Sequence, residues 1–360
     1  MTRKKTKRRK KTNKTPYWLK VFFTVFFILV IIGGILLYWF YDAVFQPNIN
    51  LGDRQTKHIY IPTGSDFDDV KTVLYEDSMI MNTNTFEWLV EKKNYKNNIK
   101  PGRYLIHEKM GNNELINILR SGSQDPVMLT FNNIRLKEEL AGIIAKQIEA
   151  DSVSIINLLN DPEVVKNYNH TPETVKLLFI PNTYEFFWNT SAEQLLERMH
   201  REYNAFWNKE RRRKAEKINL SPLEVGTLAS IVQAETYMPD EYSKVAGVYI
   251  NRLKRNMPLQ ADPTIIFAVG DFSMRRVLTR HLEIDSPYNT YRNTGLPPGP
   301  ISIPDSRVLD GVLNYQQHEY LYFCAKDDFS GYHAFAKTYS QHLTNARRYQ
   351  NALNQRRIMR

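Results

Sequence analysis

One carboxylate, Glu235, falls among the apolar positions of a predicted helix. Ser221, Pro222 and Glu224 form a typical helix start, with a hydroxyl cap, a proline in the first turn and a carboxylate three residues after the cap. Pro239 sets the latest point at which this helix ends. The helical period places Glu235 on the face that carries the apolar residues Val225, Leu228, Ile231 and Val232.

A carboxyl group on a packing face loses water, which raises its pKa toward the range in which it donates a proton near neutral pH. Such an acid suits the cleavage of a glycosidic bond, because the bridging oxygen must be protonated as it leaves. The alternative is a structural carboxylate at a helix end, which pairs with a basic residue or lies at the margin of the core. The pattern alone leaves both roles open.

A second helix is predicted to begin at Pro239. Its period brings Arg252 onto the apolar face formed by Val245, Val248 and Tyr249. A guanidinium group on a buried face needs a partner, and a carboxylate or a substrate oxygen in a cleft would serve. Alternatively, the apolar stem covers the helix edge while the charged end reaches water. Both interpretations stay open.

The sequence LQADPT, residues 259–264, predicts a polar loop that presents Gln260, Asp262 and Thr264. The proline after Asp262 favours extended backbone at that residue. Short polar side chains fixed in this way suit hydrogen bonds to sugar hydroxyl and acetamido groups. Asp262 before Pro263 is equally typical of a helix cap followed by a proline at the first helical position, and the two roles are compatible.

A longer loop over residues 286–304 has five prolines and two glycines in nineteen positions, which is too broken for regular secondary structure. This loop carries Tyr288, Asn289 and Tyr291. Tyrosine combines a stacking face with a hydroxyl group. A rigid loop of this composition therefore suits the binding of sugars.

The elements that must position these residues are predicted to be those of an α+β protein. Residues 127–131 and 179–187 are predicted as extended segments, the second one interrupted by Pro181, and residues 191–217 as a long amphipathic helix. A β-hairpin is predicted from 320–325 and 332–335, around the turn DDFSG. A helix from Thr338 follows it to the end of the chain.

Four blocks of sequence, in this order, resemble the bacterial endolytic murein transglycosylase family with its YceG-like catalytic domain. The resemblance covers roughly residues 57 to 350. The blocks are ASIVQAET, KVAGVYINRLKRNMPLQADPTIIFAVG, SPYNTYRNTGLPPGPISIP and YLYFCAKDD. No single block is decisive, but the four together are highly specific.

The resemblance implies roles for individual residues. Glu235 matches the catalytic acid, Tyr184 lies in a segment that lines the family's catalytic cleft, and the loop 286–304 lies opposite the acid. Asn251 and Arg252 match the family's NRL block, and the Thr236 hydroxyl follows the acid directly. The implied substrate-binding residues are Tyr184, Thr236, Asn251, Arg252, Gln260, Asp262, Tyr288, Asn289 and Tyr291.

The implied reaction is lytic transglycosylation, a lyase reaction that cleaves the β-1,4 bond between N-acetylmuramic acid and N-acetylglucosamine without water. Glu235 would protonate the leaving oxygen and then, as a carboxylate, take the proton of the muramic 6-hydroxyl while the 1,6-anhydro ring closes. One carboxyl group can serve in both steps, and the sequence offers no clear second catalytic acid. Gln233 departs from the family, which commonly has glutamate there; it is expected to face away from the apolar stripe and to matter less.

Two alternatives to this function stay open. The first is a muramidase, a hydrolase in which Glu235 is the acid and Asp262 or Asp285 supplies the second carboxylate that hydrolysis usually needs. The second is a scaffold that binds glycan without cleaving it. Anhydro ends distinguish transglycosylation from hydrolysis, and substitution of Glu235 distinguishes an enzyme from a scaffold.

The net charge of +11 is concentrated at the N-terminus. Residues 1–15 carry nine basic side chains and no acid, and Lys20 brings the total to ten. The rest of the chain is therefore nearly neutral, which argues against a nucleic-acid partner. Residues 21–40 carry no charge and suffice to cross a bilayer, with aromatic residues at both ends. No small-residue cleavage site follows, so the segment is predicted as an uncleaved anchor.

The positive-inside rule predicts a cytoplasmic N-terminus, a single pass through the inner (cytoplasmic) membrane, and a catalytic domain outside the cytoplasm. The fold class is thus predicted as α+β with one N-terminal transmembrane helix and two further domains. The predicted boundaries are a basic cytoplasmic arm at 1–20, the membrane helix at 21–41, a stalk at 42–56, a small LysM-like mixed α/β module at 57–125, the YceG-like catalytic domain at 126–350 and a basic tail at 351–360.

Cys324 is the only cysteine, which excludes an intrachain disulfide. It lies in the apolar run YLYFCAK and is predicted to be inert in a buried strand. The histidines are scattered, so neither a metal site nor a cofactor is predicted. The expected partners are peptidoglycan glycan strands, the membrane and, by resemblance, the peptidoglycan synthases of the elongation machinery.

Overall fold

The computed structural model describes residues 16–132 and 134–356. Of the predicted basic arm, residues 1–15 lie outside the described residues, as do residues 357–360 of the predicted tail. The chain divides into two compact units, with the division between Asp125 and Pro126.

The first unit consists of a long apolar helix followed by a small α/β fold. Its two strands are antiparallel, with Thr56 opposite His107 and Ile61 opposite Gly102. Two helices connect these strands. The elements are α1 (Tyr17–Phe45), β1 (Thr56–Ile61), α2 (Phe67–Tyr75), α3 (Thr83–Lys92), β2 (Gly102–His107) and α4 (Asn112–Ser121).

Among the described residues, α1 is the one helix long and apolar enough to cross a membrane. Its 29 residues, at about 1.5 Å each, extend for roughly 43 Å. This length exceeds the ~30 Å hydrocarbon core of a bilayer. Large apolar side chains between Val21 and Leu37 are exposed, so this part of α1 has no protein core to pack against. Trp39, nearer the end of the helix, packs against Trp88 of α3.

The segment predicted as a stalk, residues 42–56, is instead folded into the first unit. Ala43, at the end of α1, is buried, and so are Ile49 and Leu51. Ile49 forms an isolated antiparallel bridge with Ile80. The side-chain amide of Asn112 donates a hydrogen bond to the carbonyl of Ala43 at 2.9 Å. The prediction was wrong here because the few buried residues of this segment, separated by polar ones, produce no periodic pattern.

The second unit is mostly helical, with two short antiparallel strand pairs. Val127 lies opposite Phe186 in one pair, and Tyr322 lies opposite Ala336 in the other. Its elements are β3 (Val127–Phe131), α5 (Lys137–Ala145), α6 (Ser152–Asn160), α7 (Pro162–Lys166), β4 (Asn182–Phe186), α8 (Ala192–Phe206), α9 (Lys209–Lys217), α10 (Pro222–Glu235), α11 (Tyr242–Lys254), α12 (Asp262–Val269), α13 (Ser306–Leu313), β5 (Tyr322–Ala325), β6 (His333–Ala336) and α14 (Tyr339–Gln355).

Helix α10 lies in the centre of the second unit and packs against α9, α11, α12 and α13. Its predicted start is confirmed: Ser221 Oγ accepts the Glu224 amide at 3.2 Å, and the Glu224 carboxylate accepts the Ser221 amide at 2.7 Å. The sequence predicted one apolar face, whereas all residues from Val225 to Val232 are buried. The helix therefore forms a rigid support for its last residue, Glu235.

The proline-rich loop 286–304 is fixed to α10 by two side chains of that helix. Ser230 Oγ accepts the amide of Ile301 at 3.0 Å. Gln233 Oε1 accepts the amide of Asp305 at 2.6 Å, just before α13 begins. Gln233 thus has a positioning role that the sequence did not indicate, because it holds the end of the loop to the helix that carries Glu235.

The C-terminal elements follow the predicted order. β5 and β6 form the predicted hairpin, with Ala325 opposite His333. Thr338 caps α14 and accepts the amide of Gln341 at 3.3 Å. The helix predicted over 191–217 is divided into α8 and α9, and Asn208 caps the second part by accepting the amide of Arg211 at 3.0 Å.

Candidate active site

A cavity of about 440 Å³ lies at the C-terminal end of α10. Its walls come from the end of α10, from α11 and the loop after it, from the loop 286–304, and from the hairpin β5–β6 with α14. Half of the ten residues predicted from the sequence line this cavity. They are Glu235, Arg252, Gln260, Asp262 and Tyr291.

Glu235 is the last residue of α10, and its carboxyl group contacts the cavity. The hydroxyl of Tyr249 on α11 donates a hydrogen bond to Oε1 at 2.8 Å. Burial raises the pKa of Glu235 from 4.5 to about 7. The Tyr249 hydrogen bond opposes this rise, repulsion from Asp262 adds to it, and the Arg252 guanidinium opposes it. Glu235 can therefore both hold and release a proton near neutral pH.

Arg252 is buried and binds backbone carbonyl groups. Nε donates to the carbonyl of Leu321 at 2.7 Å, and Nη1 donates to that of Leu259 at 2.8 Å. Its guanidinium carbon lies 5.2 Å from the centre of the Tyr322 ring. The interpretation in which the charged end reaches water is wrong, because Arg252 is buried. Its partners in the protein are carbonyl oxygens rather than a carboxylate, and a contact with a substrate oxygen in the cavity stays a prediction. Arg252 instead joins α11 to two walls of the cavity and places a positive charge near Glu235.

Asp262 and Tyr291 form a hydrogen-bonded pair on the wall formed by α12 and the loop 286–304. The Tyr291 hydroxyl donates to Asp262 Oδ1 at 2.5 Å. Asp262 is the first residue of α12, and Ala261 occupies the cap position, so the cap prediction was wrong by one residue. The carboxylate is therefore available to the cavity, where its charge raises the pKa of Glu235.

Gln260 occupies a backbone conformation that non-glycine residues rarely adopt, with φ at +48°. Its amide donates to the carbonyl of Thr290 at 3.0 Å, which joins this loop to the loop 286–304. Its side-chain oxygen accepts a bond from Arg252 Nη1 at 3.3 Å. These contacts hold the side chain at the cavity wall.

Two predicted residues next to Glu235 and Arg252 point into the protein. The hydroxyl of Thr236 donates to the carboxylate of Glu241 at 3.2 Å rather than to Glu235. The side-chain amide of Asn251 donates to the carbonyls of His318 at 2.7 Å and Tyr320 at 3.0 Å. Both residues therefore position the chain around the cavity, and neither lines it.

Three further predicted residues also lie away from the cavity. Asn289 is fully buried and donates to the carbonyls of Leu282 and Ile284 at 2.9 and 2.8 Å. Tyr288 packs against Phe267, with ring centres 4.7 Å apart. Tyr184 lies in β4, and its buried hydroxyl donates to the carbonyl of Ile180 at 2.7 Å. Asn289 also accepts the amide of Tyr291 at 3.0 Å, which fixes the backbone of that residue.

Several lining residues were not predicted. Tyr249 was placed on the apolar face of α11 only as a packing residue. Leu259 lies in the loop after α11. The hairpin and α14 contribute the others, namely Tyr322, Phe323, Cys324, Ala325, His333, Tyr339 and His342. The run YLYFCAK predicts a strand, but it does not show where the hairpin lies. The sequence therefore contains no signal that this hairpin lines a cleft.

Cys324 is half-buried in β5 and lines the cavity, so it is less enclosed than the sequence predicted. Burial raises its pKa, which keeps the sulfur as a thiol. Within residues 16–132 and 134–356, no three histidine, cysteine or acidic side chains are grouped so that they could hold a metal ion.

The fold and the cavity together define an α+β protein built around one protonatable carboxyl group, with a second carboxylate and an arginine on the walls around it. The sequence matches the YceG-like family over residues 59–348. The chain therefore belongs to the YceG-like family, and the family predicted from the sequence is confirmed.

Relatives of known name agree with this assignment. The chain is 30% identical to the endolytic murein transglycosylase of Bacillus subtilis (strain 168), over 91% of this chain and 93% of that protein. It is 26% identical to the endolytic murein transglycosylase of Streptococcus pneumoniae serotype 2 (strain D39), over 92% of this chain but only 65% of that protein. A crystal structure of a YceG-like protein from Listeria monocytogenes is 29% identical and covers 81% of this chain and 99% of that one, with a TM-score of 0.52.

Proposed function

We propose that the chain is a membrane-anchored endolytic peptidoglycan lytic transglycosylase. It cleaves the β-1,4 bond between N-acetylmuramic acid and N-acetylglucosamine within glycan strands and leaves 1,6-anhydro ends. The single observation that carries this proposal is the carboxyl group of Glu235, which contacts a cavity and has its pKa raised to about 7. The names of the relatives support the substrate.

In the first step, protonated Glu235 donates its proton to the bridging oxygen, and the bond from that oxygen to C1 of the muramic sugar breaks. Positive charge develops at C1, and the carboxylate of Asp262 lies in the same cavity to stabilise it. The Tyr249 hydroxyl remains bonded to Glu235 Oε1 and stabilises the carboxylate that forms.

In the second step, the carboxylate of Glu235 takes the proton of the 6-hydroxyl group, and that oxygen bonds to C1 to close the anhydro ring. The step returns the proton that Glu235 donated, so the enzyme ends in its starting state and no water is consumed. A group with a pKa near 7 suits both directions of transfer, because neither protonation state is strongly disfavoured at neutral pH.

One feature of the cavity, a second carboxylate, also fits a second candidate function, that of a muramidase. Asp262 lines the cavity with Glu235 and could direct a water molecule or act as the nucleophile. Asp285, the other carboxylate considered, is exposed and does not line the cavity. Only Asp262 therefore supports hydrolysis.

The decisive experiment is to incubate the purified full-length protein, in detergent, with peptidoglycan sacculi and to determine fragment masses. Anhydro ends lack one water relative to ordinary reducing ends. Anhydro products support the proposal, reducing ends replace it with hydrolysis, and no fragments indicate a scaffold. Glu235→Gln is expected to lower the rate by about 10²- to 10⁴-fold, whereas the exposed Glu216→Gln on α9 leaves it unchanged.

We also propose that α1 anchors the protein in the inner membrane by a single pass, with the N-terminus cytoplasmic and the second unit outside. The length and exposed apolar surface of α1 and the basic residues before it support this topology. A C-terminal reporter enzyme that folds only outside the cytoplasm should be active. An inactive reporter would contradict the orientation.

The first unit is proposed to act as a LysM-like module that binds glycan. The order β1, α2, α3, β2 with one antiparallel strand pair supports this interpretation. Anchoring would keep the enzyme close to newly made strands, and the peptidoglycan synthases of the elongation machinery are proposed as protein partners. Co-purification of such synthases after crosslinking in cells would test the partnership.

A further inference from the structure

Glu241 and His333 form a buried hydrogen-bonded pair beside the cavity, and the two steps above use neither residue. Glu241 is 5% exposed. Its Oε1 accepts the backbone amide of His333 at 2.9 Å, and its Oε2 lies 2.7 Å from the ring atom Nδ1. Oε2 also accepts the hydroxyl of Thr236 at 3.2 Å. The carboxylate of Glu241 thus accepts hydrogen bonds from three donors inside the protein.

This arrangement determines how the imidazole ring of His333 is used. A carboxylate oxygen has no proton to give, so Nδ1 carries the proton and donates it to Glu241. Nε2 is then the ring atom that remains for a partner outside the Glu241 pair. The ring lines the cavity, and the side chain is 13% exposed. Over the described ranges 16–132 and 134–356, no protein group forms a hydrogen bond with Nε2.

Two chains of contacts fix His333 relative to Glu235. The Phe323 ring packs edge-to-face against Tyr249, at 5.9 Å between centres, and against His333, at 5.2 Å. Tyr249 in turn binds the Glu235 carboxyl group. On the other side, Thr236 follows Glu235 in the chain and binds the same carboxylate that holds His333. The imidazole therefore has a set position and a set orientation on the wall of the catalytic cavity.

We propose that His333 contacts the substrate through Nε2, which forms a hydrogen bond with a hydroxyl group of a sugar in the cavity. Glu241 is the positioning residue that holds the ring in this orientation. The inference rests on the proposed function only for the identity of the ligand, a glycan. Sugars carry many hydroxyl groups, and a preorganised ring nitrogen binds one of them without the cost of ordering a side chain.

Two substitutions of His333 separate a contact with the ligand from a purely structural role. Asparagine places its amide nitrogen near the position of Nδ1, so His333→Asn keeps a donor for Glu241 but removes Nε2. Glutamine extends further and restores a polar atom close to the position of Nε2. His200→Asn on α8 is the matched control, because His200 lies outside the cavity and bonds to Asn204.

The first measurement is binding, by calorimetry, of a tetrasaccharide of alternating N-acetylglucosamine and N-acetylmuramic acid without stem peptides. The full-length protein is used in detergent and carries Glu235→Gln, so that cleavage is slow compared with the binding measurement. In this background His333→Asn is expected to weaken binding about 5- to 50-fold, as for the loss of one buried hydrogen bond. His333→Gln should recover part of the loss, and His200→Asn should bind like its parent.

The second measurement is kcat/KM on glycan strands with Glu235 present, where His333→Asn should lose a similar factor without a matching fall in Tm. Glu241→Gln should weaken binding as well. The double variant with His333→Asn and Glu241→Gln should bind only slightly more weakly than His333→Asn alone. A His333→Asn protein that binds and cleaves like wild type would overturn the proposal. If wild type cleaves nothing, the proposed function fails, and the binding measurement still decides the role of His333.

Discussion

At the scale of single residues, the proposed reaction depends on the proton of Glu235, and three neighbours act on it in opposite directions. Burial is the main cause of the raised pKa, and the charge of Asp262 raises it further. The hydrogen bond from Tyr249 and the positive charge of Arg252 lower it. The pKa near 7 is therefore a balance, and each neighbour can be removed separately.

The first prediction concerns the pH dependence of kcat/KM. A general acid works while protonated, so the rate should fall as the pH rises through the Glu235 pKa, near 7 in wild type. Tyr249→Phe removes a bond that favours the carboxylate, so the falling limb should move up by about 0.5 to 1 pH unit. Asp262→Asn removes repulsion, and the limb should move down. Profiles on soluble glycan strands would measure both shifts, and movement in one common direction would contradict the assignment.

The second prediction concerns the free energy of unfolding. The pKa of Glu235 is higher in the folded protein than the ordinary 4.5, so the folded state loses stability as the pH rises from about 4.5 through 7. At about 1.4 kcal/mol per pKa unit the loss is at most about 3.5 kcal/mol, and access of solvent to the cavity reduces it. Glu235→Gln stays neutral and still accepts the Tyr249 bond. It should therefore stabilise the protein by about 1 to 3 kcal/mol at pH 8 and by little at pH 4.5.

Urea unfolding of wild type and Glu235→Gln at both pH values tests this prediction. Glu216→Gln, on the exposed side of α9, serves as the control for general charge effects. Equal differences between wild type and Glu235→Gln at pH 4.5 and pH 8 would mean that the carboxyl group is not desolvated.

The sequence predicted the residues whose surroundings are local and missed those that depend on distant contacts. Glu235 follows from the apolar period of its own helix, and Asp262 and Tyr291 from the composition of their loops. Asn251 and Asn289 were assigned to sugar binding, yet they bind backbone carbonyls inside the protein. The amide group of asparagine forms the same hydrogen bonds with a sugar as with a backbone carbonyl. Only the fold therefore shows which of the two is the partner.

At the scale of elements, the cavity depends on close packing between α11 and the segment that leads into β5. A Cβ atom at Gly247 would lie 2.5 Å from the carbonyl oxygen of Gln316 and 2.7 Å from His318 Nε2. The same segment carries the carbonyls of His318 and Tyr320 that Asn251 binds. A displacement here therefore reaches the hairpin wall of the cavity.

The third prediction is that Gly247→Ala destabilises the protein by about 1 to 3 kcal/mol, as overpacking does, and lowers kcat/KM. Gly142→Ala is the matched control, because Gly142 lies within α5 and an added Cβ there meets nothing within 4 Å. That substitution should leave activity unchanged and stabilise the protein by up to about 1 kcal/mol. Unfolding and kinetics of both variants test this pair, and equal effects would contradict the packing argument.

Elements with strong end signals were predicted well. The hydroxyl cap at Ser221 with its partner Glu224 and the turn between β5 and β6 both depend on neighbouring residues in the chain. Asp262 was predicted as the cap of α12 but is its first residue. Proline is accepted at the first and at the second helical position, so Pro263 does not distinguish the two starts. What the sequence could not show is that α10 is buried on all sides between Val225 and Val232, because α12, the loop 286–304 and α13 pack against it from later parts of the chain.

At the scale of the whole molecule, the long helix α1 has two different ends. Its apolar part is exposed, whereas Ala43 and Val44 at its end are buried in the core of the first unit. Ile49 and Leu51 continue this core, and Asn112 binds the carbonyl of Ala43. The end of α1 therefore belongs both to the anchor and to the folded unit. Shortened proteins that begin at different residues should lose the anchor alone or the anchor together with part of this core.

The fourth prediction compares two shortened proteins, one that begins at Asp42 and one that begins at Gly52. Both lack the exposed apolar part of α1, so both should leave the membrane fraction without detergent. Only the second loses Val44, Ile49 and Leu51, whose burial stabilises the unit by about 1 to 3 kcal/mol each. Removing that much from a small unit should unfold it, since domains have only about 5 to 15 kcal/mol in total.

Amide hydrogen exchange measures the outcome separately in each unit. In the protein that begins at Asp42, the paired amides of β1 and β2 should stay protected, and in the protein that begins at Gly52 they should exchange rapidly. The amides of β3 and β4 report on the second unit and serve as the internal control. Equal protection of β1 and β2 in both proteins would mean that residues 42–51 act as a connection to the membrane and add nothing to the fold. Retention of either protein in the membrane fraction would show that α1 is not the sole anchor.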